Sequence, residues 1–409
     1  LKLSFILVLF FVTVSAQSKN DLNSEEKEYI SKFIYPIKTI NPDERDNSDL
    51  LILNKLIGNS KIVGLGESTH GSSEIYQLKY RISEYLITHK NFNIFSLEAN
   101  MPESFLMNQY IQEKKGDPRS ILKGMYFWLW QTEETLHFVE WLKKYNENYN
   151  SKVFFEGFDM QYAKGAVDQI RKVYQENNFP EQEINNLEIA LKENNRGFRT
   201  YSKKGQKAIS EYLLLLKQKA ASIKNQEEKV RFLQNVDIIR QYIQLNFIRR
   251  DKFMAENIKW LKENHLNSKV IVSAHNYHIA KLNSDRMGYW INEIDDTDFV
   301  NFGFAFYEGT YSASIDGKIG TYNSETARPG TLEYKLNSLN IPIFILDLKA
   351  IRKDGNKLGH WILEDILFRK TGSGTDKNEF LKTNVAKSFD YLIFINMSTN
   401  SKLLNGISK

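Results

Sequence analysis

The feature that most limits what this chain can become is a series of short apolar runs rich in β-branched and aromatic residues. They are "KIVGLG" from Lys61, "FNIFSLEA" from Phe92, "KVFFEGFD" from Lys152, "KVIVSAH" from Lys269, "FVNFGFAFYE" from Phe299, "IPIFILDL" from Ile341 and "YLIFIN" from Tyr391. Each is about one strand long and nearly continuous in apolar residues, as strands covered on both faces are. Amphipathic segments long enough for crossover helices join the first four, so the pattern predicts an α/β fold with a mostly parallel sheet flanked by helices. The interval from Lys164 to Leu266 breaks this alternation. It is rich in Lys, Glu, Gln, Asn and Leu, carries 3.6-period stretches such as "AISEYLLLLKQKAASI" and "VRFLQNVDIIRQYIQLNFI", and contains one proline, Pro180. These features predict an inserted all-helical subdomain, a candidate lid over the strand-end cleft or a buttress. The expected organisation is residues 17–163 as the first part of the α/β core, 164–266 as the helical insertion and 267–409 as the second part.

With 42% hydrophobic residues in 409, the chain has material for a sizeable core. Lysine and arginine number 55 against 50 acidic residues, scattered and without a basic tract, which argues against a nucleic-acid groove. The absence of cysteine removes disulfides, thiolate metal sites and a cysteine nucleophile. The opening "LKLSFILVLFFVTVSAQ" has a basic Lys2, an apolar run from Leu3 to Val14 and a small-residue end at Ala16. That layout predicts a secretory signal peptide over residues 1–16 and an exported protein, periplasmic or extracellular. The run is too short to span a bilayer, which takes roughly 20 apolar residues. No membrane partner is expected after cleavage, and a monomer or weak oligomer is.

In open α/β sheets ligands bind beyond the carboxyl ends of the strands. The polar residues just past each run are therefore the candidates: Glu67 and His70 after the first, Glu98 after the second, Asp159 after the third, His275 and His278 after the fourth and Glu308 after the fifth. Downstream of His70, "GSSEIYQLKYRISEYLITH" reads as a helix on which Glu74 and Arg81 share a face. The expectation is a column of His70, Glu74 and Arg81, with the positive helix end keeping His70 neutral and Glu67 orienting its ring. Such a histidine suits general-base activation of water. His275 and His278, three apart, fit either metal ligation or donation to an oxyanion. Trp130, in "WLWQTEE", is a candidate for an apolar pocket wall, although core packing is the commoner role of such a tryptophan. Arg250, in "RRDKFMAEN", is placed to reach the rim. No GxSxG, HExxH or glycine-rich phosphate loop is present.

Seven of these segments, in order, resemble the erythromycin esterase family: "GLGESTH", the helix around "LKYR", "FSLEAN", "WQTEE", "GFDMQ", "RDKFMAEN" and "AHNYH", with "FDYLIFIN" similar to the closing strand. The resemblance covers about Ile62 to Asn396. It implies hydrolysis of the macrolactone ester of macrolide antibiotics, a small-molecule substrate, by histidine-activated water, with no cofactor, no required metal and no covalent intermediate. By the same resemblance His70 is the base, Glu67 its partner, Glu98 a further acid and His275 the histidine of the opposite wall. Glu74, Arg81, His278 and Trp130 are the candidates for substrate contact. One departure is Lys79, where some macrolide-hydrolysing members have Arg, and Lys does not replace Arg in bidentate contacts. Metal-dependent hydrolysis through His70, His275, His278 and a carboxylate is the alternative on the same fold, and a non-catalytic binding protein is a third.

Overall fold

The computed structural model describes residues 21–197, 200–265, 267–295 and 298–404; the leader expected over residues 1–16 lies outside them. Its centre is a nine-stranded sheet built from β1 (Ile34–Pro36), β2 (Ile62–Leu65), β3 (Ile94–Asn100), β4 (Phe154–Asp159), β5 (Val270–Ser273), β6 (Phe299–Ile315), β7 (Lys318–Asn323), β8 (Ile343–Asp347) and β11 (Tyr391–Ser398). β9 (Ile366–Arg369) and β10 (Phe380–Thr383) form a separate hairpin. The order across the sheet is β1-β8-β11-β6-β2-β5-β3-β4, with β7 paired to the far half of β6. The strands from β4 through to β11 in this order are parallel, while β8, β1 and β7 pair antiparallel.

All seven apolar runs form strands, and their alternation sorts side chains onto two buried faces. On β5, for example, Val270 and Val272 join one core and Ile271 the other, each fully buried. Burial on this scale contributes roughly 1.5–3 kcal/mol per large aliphatic side chain. The fifth run differs from its expected length. β6 spans 17 residues and bends on to pair with β7, so Glu308 lies within the strand opposite Met397 rather than at the strand end.

Between β4 and β5 the chain forms the helices Lys164–Glu176, Glu181–Asn194, Lys203–Lys219, Gln226–Ile243 and Phe247–Asn264. Their apolar stripes, such as Val236, Ile239 and Ile243, bury into the same core as Ile94, Val270 and Val272 of the sheet. The opposite face is covered by the helices Ser73–Lys90 and Glu133–Asn148. Among the described residues no helix is long and apolar enough to cross a membrane.

Candidate active site

The turn after β2 places the first two functional side chains. Gly66 permits the close approach of this turn to Asn276, because a Cβ there would lie 2.1 Å from the Asn276 side-chain oxygen. The Asn276 N–H donates to the Glu67 carbonyl at 2.8 Å, which binds the β2 and β5 ends together. Gly71 is equally crowded, with its would-be Cβ 1.9 Å from the Ser312 carbonyl oxygen. Its carbonyl accepts from the N–H groups of Ser312 and Ser401.

Glu67 is fully buried between His70 and Lys79. His70 Nδ1 lies 2.6 Å from one carboxylate oxygen, and Lys79 Nζ donates to the other at 2.5 Å. Burial pushes the Glu67 carboxyl up, but the ammonium of Lys79 and the His70 contact overrule it and hold the pKa down to about 2. A carboxylate acceptor on Nδ1 fixes the tautomer: Nδ1 carries the hydrogen and Nε2 keeps its lone pair. His70 is 8% exposed, and no described residue hydrogen-bonds Nε2.

A second cluster spans the ends of β3, β4 and β5 and the start of the helix Phe247–Asn264. Asn246 caps that helix by accepting from the Arg249 N–H, which sets Arg250 on its first turn. Arg250 donates to Glu98 at 2.9 Å and to Asp159 at 2.6 Å. Burial opposes its charge, yet the two carboxylates raise its pKa and keep it a cation. His278 Nδ1 lies 2.8 Å from Asp251, while its Nε2 lies 3.2 Å from both Glu98 and Arg250 Nη1. Burial favours the neutral ring here, but the charges of Glu98 and Asp251 prevail and raise its pKa to about 9. His278 is thus an imidazolium at neutral pH, and its Nε2–H donates to Glu98 rather than accepting from Arg250. Glu98 is held well below the usual carboxylate range against its own burial, by His278 first and then by Arg250.

His275 joins the two clusters. Its ring centroid lies 5.0 Å from that of His70, and its backbone N–H donates to Glu98 at 3.0 Å. Its Nε2 is bonded to the Thr371 carbonyl at 2.9 Å and its Nδ1 accepts from the Tyr277 N–H at 3.1 Å. Burial and the neighbouring His70 lower its pKa to about 3. Both nitrogens are engaged, so His275 is a neutral wall of the cleft with no free N–H for an oxyanion, contrary to the donor role expected for it. Thr371 is itself anchored, its N–H and hydroxyl both donating to the Ser68 carbonyl.

The structure brings together Glu67, His70, Glu98, His275 and His278, with Asp159 and Arg250. It places three other candidates elsewhere. Arg81 is buried in a bidentate pair with Asp49 and donates to the carbonyls of Thr39 and Asp46. Glu74 accepts from the N–H and hydroxyl of Thr399 at 2.5 and 2.6 Å. The expected column does not form because the helix begins at Ser73, behind its Ser72 cap, and His70 stands outside its register. Trp130 is fully buried, edge-on to His70 at 6.3 Å between ring centroids, so it backs the histidine instead of facing a ligand. Glu134 accepts from the Lys402 N–H and the Ser73 hydroxyl, and the Leu404 N–H donates to the Gln131 carbonyl. Residues 399–404 thereby form a strap across the Gly71 turn and the Thr132 region. Lys79, Asp251 and Thr371 carry parts of the site that spacing alone did not reveal. Lys79 stands in "LKYR" and Asp251 in "RDKFMAEN", two of the segments that carry the family resemblance, whereas Thr371 had no sequence signal.

Among the described residues no three His, Asp or Glu side chains have the geometry of a metal cage. The carboxylates that would ligate are already neutralised, Glu67 by Lys79 and both Glu98 and Asp159 by Arg250.

Comparison with known proteins identifies the family and the fold. The chain matches the erythromycin esterase family over residues 87–398, a span that begins downstream of Glu67 and His70. YbfO of Bacillus subtilis is 26% identical over 393 residues, covering 84% of this chain and 86% of that one. The erythromycin esterase type II of Escherichia coli is 22% identical over 451 residues, covering 92% and 99%. A mutant of the erythromycin esterase EreC, in its open conformation, superposes with a TM-score of 0.69 over 91% of this chain and 99% of its own, at 15% identity. With a family match across most of its length and the same mixed α/β architecture, this chain belongs to the erythromycin esterase family.

Proposed function

We propose that the protein hydrolyses the macrolactone ester of macrolide antibiotics by direct attack of water, and that ring opening confers macrolide resistance. One observation carries the reading: Glu67 holds His70 Nδ1 at 2.6 Å and leaves Nε2 with no hydrogen-bond partner among the described residues, at a strand-end rim that also carries two cations, Arg250 and His278. A water on Nε2 gives its proton to the ring while its oxygen forms the new bond to the ester carbon. The carbonyl electrons move to oxygen, where Arg250 and His278 are the positive groups available to stabilise them. Collapse breaks the bond to the ring alkoxide, which takes the proton from His70 Nε2, leaving a carboxylic acid, an alcohol and His70 restored as the base. The macrolide part of the reading is supported by the name of the Escherichia coli relative. A cover over the cleft is supported by the exposed Phe247 at the tip of its helix, 5.8 Å from Tyr277.

The test is erythromycin incubated with purified, chelator-treated protein and followed by mass spectrometry. The expected product has gained one water. His70→Asn is expected to lower turnover by about a thousandfold or more with an unchanged circular dichroism spectrum. Unaltered erythromycin would remove the macrolide assignment. Undiminished turnover in His70→Asn would remove the base.

A further inference from the structure

β4 ends at the rim on Asp159 but begins at Phe154, roughly 16 Å away along an extended chain. Around Phe154 the helices Met101–Glu113, Lys164–Glu176 and Gln226–Ile243 line a cavity of about 500 Å³. A neighbouring cavity of about 560 Å³ is lined by Phe154, Trp260, Asn264 and His265. The two share Phe154, Glu227 and Arg231 as walls and so lie side by side. Glu67, His70, Glu98, Asp159, Arg250, His275 and His278 line neither. We infer that this pair of cavities is a carbohydrate-binding site, for a short neutral oligosaccharide with one ring in each.

The unpaired groups of the lining specify that chemistry. Gln109, Gln112 and Gln169 are half-buried in the first cavity, and their side-chain amides have no hydrogen-bond partner among the described residues. Asn235, on the same wall, is 3% exposed. Its amide nitrogen donates to the Arg231 carbonyl at 2.9 Å, which fixes the orientation of the group and leaves Oδ1 without a donor. Buried acceptors in folded proteins are nearly always satisfied, and a hydroxyl entering the cavity would satisfy this one. An amide both donates and accepts, as a sugar hydroxyl does, whereas an ammonium only donates and a carboxylate only accepts. The charged groups of the wall, by contrast, are already matched. Arg231 pairs with Glu227 at 3.8 Å, Lys172 with Glu176 at 3.9 Å and Glu113 with Lys115 at 2.6 Å, while Glu228 accepts from Asn177 at 2.7 Å. In the second cavity burial lowers the His265 pKa to about 4, so that ring is neutral. The wall therefore calls for hydrogen bonds and not for a counter-ion. Trp260 is half-buried in the second cavity, with no ring or cation stacked on it among the described residues. An indole so placed offers the flat apolar surface against which the C–H face of a pyranose packs. Both volumes fall within the roughly 300–1,000 Å³ of small-molecule sites.

Binding is measured without turnover, so this inference and the ester hydrolysis proposed above can fail independently. The intact protein is titrated calorimetrically with cellobiose, maltose, lactose and diacetylchitobiose, and with spermidine and glucuronate as the cationic and anionic counterparts. At least one disaccharide is expected to bind with a Kd below about 1 mM and more tightly than either charged probe. Q109A/Q169A and W260A are each expected to weaken that binding at least about tenfold, and W260F to keep it within about threefold. Binding of none of the disaccharides, or tighter binding of spermidine or glucuronate than of every disaccharide, would overturn the proposal. An affinity unchanged in Q109A/Q169A would place the sugar elsewhere and overturn it equally. Gln109 and Gln169 are half-buried on helices, so their truncation leaves the core intact, and the wild-type ranking decides the ligand class without any variant.

Discussion

Lys79 is fully buried, an unusual place for an ammonium, and what it touches explains why it is tolerated there. Its partner Glu67 is equally buried, and removing one member of such a pair leaves the other charge uncompensated. Lys79→Met is therefore expected to lower stability by about 3–5 kcal/mol in urea unfolding. It should also loosen His70, because Glu67 would then favour its protonated form. An unchanged urea midpoint would mean that the pair is not formed. Lys79 was read in the sequence as a substrate-contact position departing from Arg, and the structure gives it a different task. Arg81 misled for a related reason: a helical wheel gives relative azimuth but not which face meets the cleft. His278 makes the pH dependence predictable. Its folded pKa of about 9 lies above the ordinary 6.5, so its contribution to stability is complete below 6.5 and is lost as pH rises through about 9. Ester hydrolysis is expected to share that alkaline limb, and a pH profile of kcat/KM for wild type and His278→Gln checks it. A limb near 9 that persists in the variant would assign the titration to another group.

At the scale of elements, the site depends on turns and one hairpin more than on helices. The strand-end acids and histidines were legible because an apolar run that stops on a polar residue marks both the strand and its rim. The β9–β10 hairpin was not legible, since "ILFR" and "FLKT" are short and ten residues separate them. Its key contact is made by the carbonyl of Thr371, a group every residue possesses, so no side-chain signal betrays it. Gly71 shows the complementary case, in which a missing side chain is the signal. With 1.9 Å between a would-be Cβ and the Ser312 oxygen, Gly71→Ala must displace β6 or the turn that carries His70. The expected result is a loss of roughly 1–3 kcal/mol in stability, as for other overpacked sites, with a disproportionate fall in kcat. Thermal melts beside steady-state kinetics test this, and wild-type behaviour in both would show that the close approach is not required.

Across the whole molecule, each sheet face has one continuous core, and the interval first read as a separate insertion contributes heavily to one of them. Ile239, on the helix Gln226–Ile243, is fully buried in the same cluster as Val272 of β5. Ile239→Ala is expected to cost about 2–5 kcal/mol and to shift a single calorimetric transition. Two resolved transitions, with only one moved by the substitution, would instead mean that the helices unfold on their own. Periodicity announced these helices well, but it could not say that their apolar stripes would face the central sheet as well as one another. Long-range partners are the information a local pattern lacks, and the strap is the extreme example. Glu74 and Thr399 are 325 positions apart. A ribosome therefore exposes His70 long before it makes the segment that braces its turn, and a growing chain holds an unbraced base until that late stretch emerges. Competence therefore waits on residues 399–404, however early the strands that carry the base are made.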